Sequence, residues 1–303
     1  MRPVPETLNT EAGNICTAMF NRFTNSWRLV KYSAAVLKKD RELLVFPLIS
    51  SIAALLVLAS FVPLFGVAPE SEDNSINMVV LFGLYLAEYF VIFFFNSALV
   101  GAAMIRMDGG NPGVMDGLRI AWSKVGSIFG YAVISATVGL ILRIIGQRFG
   151  FVGRIVAGLS GIAWSIASYL AVPMLVSRNI GPLDAIREST SLLKRTWGEN
   201  LIAGASIGLV FKLVFFIVFL FIAFLAGTAF SREETILATG IAVLGLIVMI
   251  LLGLFQAALQ GVFSAALYRY AIHGDDGNGL SSEVLNNAFA PKDGFITADS
   301  QRG

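Results

Sequence analysis

Six segments of this chain are each long and apolar enough to cross a lipid bilayer, and no other feature constrains the fold as strongly. A transmembrane helix needs about 20 mostly apolar residues, within a range of roughly 17 to 25. Segments 44–66, 77–104, 125–146, 155–177, 201–228 and 235–267 meet that requirement. In hydrocarbon the backbone must satisfy its own hydrogen bonds, so each run is expected to be a helix. The sixth run exceeds one bilayer. It should continue into water through Arg269 and Tyr270 and stop at Gly274, a residue suited to the left-handed conformation that ends helices.

Composition agrees with this reading. Charged residues make up 14% of the 303 residues, against about 25% in ordinary soluble domains, which excludes a soluble globular protein. The expected fold class is all-α, a polytopic membrane bundle of six transmembrane helices. It divides into an N-terminal segment (1–43), a six-span membrane domain (44–273) and a C-terminal tail (274–303). A net charge of +2 gives no reason to expect a nucleic-acid partner.

The basic residues are strongly biased between the two sides. Seventeen of the 22 Lys and Arg fall at the termini and in the loops after even-numbered spans, whereas the opposite side has only Arg148, Arg154 and Arg232. The first loop on that sparse side, 67–76, is acidic, with Glu70, Glu72 and Asp73. Positive-inside asymmetry therefore places both termini in the cytoplasm. The first 43 residues carry seven Lys or Arg and lack an apolar run of signal-peptide length, so no cleavable signal is expected.

An internal repeat accompanies this topology. The segment NPGVMDGLR (111–119) aligns without gaps on NIGPLDAIR (179–187), matching Asn, Gly, Asp and Arg. Both copies follow an even-numbered span. Gly113 or Gly181 is expected to end the preceding helix or turn the chain. Asp116 or Asp184 would favour the first turn of the next helix, with Arg119 or Arg187 in i,i+3 reach. These two Asp/Arg pairs are also candidates for meeting lipid phosphate. A fainter third copy falls at Asn278, Glu283 and Leu285. Before span one, Phe20, Phe23, Trp27, Val30, Ala34 and Leu37 recur at helical spacing beside displaced Lys and Arg, the pattern of an amphipathic surface helix. Three units, each a cytoplasmic surface helix followed by a transmembrane hairpin, would give a pseudo-threefold bundle.

Three stretches, WRLVKYSAAVLKKDRELLVFP (27–47), STSLLKRTWGEN (189–200) and NAFAPK (287–292), resemble an uncharacterised bacterial family of six-span integral membrane proteins. More faintly, the helix-plus-hairpin pattern is similar to the membrane domain attached to some glycerophosphodiester phosphodiesterases, without their catalytic domain. The resemblance implies a bacterial or archaeal cell membrane and brings no established activity or site residue.

Catalytic chemistry has little to build on. Cys16 and His273 are the only residues of their kinds, so a disulfide within the chain and a Cys/His metal cluster are excluded by count. Phosphate-binding and zinc-protease motifs are absent from the sequence. A formal nucleophile-elbow match at Gly204, Ser206 and Gly208 lies within span five, where the required strand-to-helix turn cannot form. No catalytic residue, metal or cofactor is therefore expected.

The charges inside the spans are Glu88, Lys212 and Arg143. Glu88 and Lys212 each lie about 16 Å along their spans, near the midplane, at 1.5 Å per residue. An unpaired charge there is costly, so the two are expected to pair inside the bundle, as a structural ion pair or as a proton, ion or solute site. Tyr85 and Asn96 share the face of Glu88, and Gln256 and Gln260 line the inner half of span six, which outlines a polar track. Arg143 lies near the outer end of span three and can extend to the interface. The functional expectation is a non-enzymatic transport-like or lipid-interacting bundle. A scaffold for other membrane proteins is the alternative, and an intramembrane enzyme comes third. Anionic lipids of the inner leaflet are the expected partners, with a membrane protein partner of unstated identity.

Overall fold

The computed structural model describes Leu37 and residues 40–67, 74–197 and 206–273. A 3-10 turn, Arg41–Leu44, leads into α1 (Val45–Val67). There follow α2 (Asn74–Met107), α3 (Val114–Ser123), α4 (Val125–Arg148), α5 (Gly150–Ala167), α6 (Ala171–Ser177) and α7 (Pro182–Trp197). The described chain closes with α8 (Ser206–Phe230) and α9 (Thr235–His273). It is all-helical, and six stretches are long and apolar enough to cross a membrane: Glu42–Leu64, Met78–Met107, Val125–Arg148, Gly150–Ser177, Phe211–Phe230 and Thr235–Arg269. As the sequence predicts, α9 overruns one bilayer; its 39 residues extend about 58 Å at 1.5 Å per residue.

The described residues fall into two compact units. The larger contains Val36–Arg195 and Leu254–Asn278; the other holds α8 and the first part of α9, as far as Gly253. In the smaller unit α8 and α9 form a hairpin, with Gly245 against the Ile222 side chain. Its Phe216, Phe219, Phe221 and Phe224 are all exposed, as expected of a hairpin apolar on every side.

In the larger unit α2 is the central helix, packed by α1, α3, α4 and α6. Small residues permit this crowding: a Cβ on Gly117 of α3 would lie 2.6 Å from the Ala98 carbonyl oxygen of α2. The core collects at one end of the bundle, where Phe46, Leu99, Ile128, Leu170 and Leu259 are fully buried. That end also carries the charges. Asp40 and Arg106 pair at 2.7 Å, largely shielded from solvent, and Arg106 donates to Gly110 O and Asn111 Oδ1. Arg269 pairs with Asp108, Arg178 pairs with Glu188 at 2.8 Å, and Lys124 donates to Arg178 O and Asn179 Oδ1.

The repeat is visible as geometry. Both copies start a helix, and the Asp/Arg pairs have nearly the same length, 3.9 Å for Asp116–Arg119 and 3.8 Å for Asp184–Arg187. Asp116 accepts from Gly113 N–H at 3.0 Å, closing the first turn of α3. One role moves: α2 is ended by Gly109 at φ +85°, where side chains are strained, while Gly113 caps α3 in extended conformation. The expected third copy and the N-terminal amphipathic helix lie outside the described residues, apart from buried Leu37.

Span four differs from a straight helix. It breaks at Ser168–Tyr169–Leu170 between α5 and α6. Pro173 has no N–H to donate to the Tyr169 carbonyl, and its ring clashes with that carbonyl in a continuous helix. The break is completed by α7: Ser189 Oγ accepts from Leu170 N–H at 3.1 Å, and Thr190 Oγ1 donates to the Ala167 carbonyl at 3.4 Å. Irregular backbone at membrane depth requires such partners.

Candidate functional site

A cavity of about 330 Å³ opens in the larger unit beside the break in span four. Five elements wall it. From α1 come Phe46, Pro47 and Ser50; from α2 come Ile92, Phe93, Phe95, Asn96 and Leu99. Tyr131 of α4 closes one side, Ser168 and Tyr169 of the break another, with Val172 of α6, and α9 supplies Ala257, Gln260, Gly261 and Ser264. The size lies at the lower end of small-molecule sites.

Each wall has a local cause. Asn96 and Leu99 face α9 because position 261 is glycine: a Cβ there would collide with the Leu99 side chain and lie 3.3 Å from Asn96 Oδ1. Tyr131 is held by its hydroxyl, 3.5 Å from the Ser168 carbonyl, and by its ring, 4.4 Å from that of Phe93. Ser168 and Ser264 satisfy their hydroxyls on their own helices, at Trp164 O and Gly261 O. The carboxamides of Asn96 and Gln260 have no hydrogen-bond partner among the described residues. Among the described residues no Asp, Glu, Lys, Arg or His lines the cavity.

The residues expected to form a polar track are thus partly brought together. Asn96 and Gln260 share the cavity, whereas Gln256, one turn away on α9, is not in its lining. The cavity stops at Ile92, one turn short of Glu88. Glu88 itself is half-buried on α2, and Lys212 of α8 is exposed and belongs to the other unit. Tyr85 has a different partner from any the sequence indicates, since Arg143 Nη1 of α4 donates to its hydroxyl at 3.3 Å. From there an aromatic file descends α2, Tyr85 to Tyr89 at 6.3 Å between ring centres and Tyr89 to Phe93 at 5.5 Å, and ends on Tyr131 in the cavity wall.

The Asp116/Arg119 and Asp184/Arg187 pairs are remote from this lining. Arg119 and Arg187 are almost fully exposed, each beside an exposed apolar neighbour, Met115 or Leu183, at the matching position of the repeat. Gly117 and Ala121 of α3, and Ala185, Ser189 and Leu193 of α7, form the opposite, buried faces. Trp122 is also exposed, one helical turn beyond Arg119.

Sequence reasoning missed Tyr131, Ser168, Tyr169 and the α1 wall. Pro173 was the available signal for the break, four residues after Tyr169. Phe46 and Ser50 carried none, being ordinary members of an apolar run.

The chain belongs to a family of unknown function (DUF6159), whose model matches residues 75–278. The match takes in α2 to the end of α9, and so most of the cavity wall. No curated protein and no solved structure matches the chain.

Proposed function

We propose that this protein is a non-enzymatic, multi-pass cell-membrane protein that takes an uncharged small molecule or lipid into the cavity beside Asn96 and Gln260, as a transport-like or lipid-interacting bundle. The cavity carries this reading: it is apolar over most of its wall, with a few convergent polar groups, the usual form of a binding site. Among the described residues its hydroxyls lie beside no histidine or carboxylate that could act as a general base, which argues for binding over catalysis. The bias of basic residues supports cytoplasmic termini, and on that orientation the cavity occupies the inner half of a bacterial or archaeal cell membrane. Arg119 and Arg187 then face the inner leaflet, where exposed Arg beside apolar Met115, Trp122 and Leu183 suits anionic lipid.

Native mass spectrometry of the full chain, purified from membranes in a mild detergent, tests the reading. Ala257 is exposed at the cavity mouth, so Ala257→Trp can close it without a core clash. The wild type should retain a bound small molecule that Ala257→Trp loses. Equal retention by both, or none by the wild type, contradicts cavity binding.

A further inference from the structure

The lining permits a narrower statement of the ligand, which rests on the cavity-binding reading above. We infer that the cavity takes the head of an uncharged, hydroxyl-bearing amphiphile, of the diacylglycerol or lipid-alcohol class, which enters sideways from the hydrocarbon phase. Charge decides the first part. Among the described residues no Asp, Glu, Lys, Arg or His lines the cavity, and an anionic or cationic head brought there would lose its hydration without gaining a counter-ion. A phosphate, carboxylate or ammonium head is therefore rejected.

Hydrogen bonding decides the second. The carboxamides of Asn96 on α2 and Gln260 on α9, without a hydrogen-bond partner among the described residues, each present two N–H donors and one carbonyl acceptor. A hydroxyl donates and accepts at once, so one such group can answer both side chains, whereas an ether or ester oxygen leaves the acceptors unmet. The rest of the wall, with Phe46, Phe93, Phe95 and Leu99, suits the apolar body of the same molecule.

The position of the mouth decides the route. Of the lining residues Gln260 is exposed, and Ile92, 44% exposed, and Ala257, also exposed, mark the part of the mouth farthest from the charged end. Measured along their helices at 1.5 Å per residue, these last two lie about 21 Å from Arg106 and about 18 Å from Arg269. Those arginines belong to the charged end of the bundle. With a hydrocarbon core about 30 Å thick, such a depth is inside the lipid tails. The mouth opens where a lipid can reach it and a hydrated solute cannot.

Photolabelling of the full chain in lipid nanodiscs tests this, with three probes carrying the same photoreactive acyl chain: a diacylglycerol, its O-methyl ether and a phosphatidic acid. The diacylglycerol should label the 92–99 or 257–264 segments about tenfold more than either analogue, on the net worth of the hydrogen bonds at stake. Asn96→Leu together with Gln260→Leu should abolish that preference while leaving weak labelling by all three. Equal labelling by diacylglycerol and methyl ether in the wild type overturns hydroxyl recognition and leaves cavity binding standing, and preferential labelling by phosphatidic acid overturns the neutral-head assignment. Labelling by a different lipid-phase probe, a photoreactive hydrocarbon, separates the two levels: if neither it nor the three lipids marks the cavity segments, the underlying cavity-binding reading fails too.

Discussion

The amide of Leu170 donates to the hydroxyl of Ser189 at 3.1 Å, and both residues are completely buried. A helix that follows span four in sequence thus supplies an acceptor for an amide at the break in span four. The amide left unpaired in Ser189→Ala should cost about 1–3 kcal/mol. Thermal unfolding of the full chain in detergent should show a lowered midpoint for Ser189→Ala, and no change for the exposed control Ser191→Ala. Equal midpoints would show that the break is stable without α7.

A second prediction concerns the charged end. Asp40 and Arg106 are 10% and 18% exposed in their side chains and 2.7 Å apart, so removing one partner strands the other in a poorly solvated place. Arg106→Met or Asp40→Asn alone should destabilise by up to about 3 kcal/mol, and the double variant by clearly less than the sum. Additive losses in that double-mutant cycle would show the two side chains to be uncoupled.

How far these relationships could be read from sequence depends on their range. The spans, the overrun of α9 and the Gly113–Asp116 turn follow from local pattern, because periodicity and capping act within a few residues. Asn96 and Gln260 were also legible as polar residues on apolar helices, where any carboxamide stands out. Their partners were not. The Ser189–Leu170 bond joins two ordinary residues across a turn, and the α1 wall at Phe46 and Ser50 depends on how α1 packs on α2. Charge counting linked Glu88 to Lys212 because both are isolated near the midplane; Glu88 lies in the larger unit and Lys212 in the smaller. Arg143, read as an interface residue, also bonds Tyr85.

That last bond is a third test. Tyr85→Phe removes one hydrogen bond at 3.3 Å and leaves the ring on Tyr89. Polar contacts between membrane helices are worth about 0.6 kcal/mol on average, so a small, measurable loss is expected in steric-trap or denaturant unfolding. Arg143→Leu in the Tyr85→Phe background should then add little from this contact. A large further loss would mean that Arg143 has another partner of greater weight.

Orientation is open to direct chemical test in cells. With Cys16 replaced by Ser, single cysteines at Ser71 and Ser282 should divide cleanly: an impermeant maleimide applied to intact cells should label position 71 only. Labelling at 282 and not at 71 would invert the topology and move the cavity to the outer half of the membrane.

The central claim is that an uncharged intramembrane cavity beside Asn96 and Gln260 is a binding site. An experimental density map of the full chain in lipid nanodiscs tests it most directly. The account predicts elongated non-protein density that touches both carboxamides and leaves the bundle past Ile92 and Ala257. A cavity collapsed onto its own side chains, or one holding only water, would contradict it.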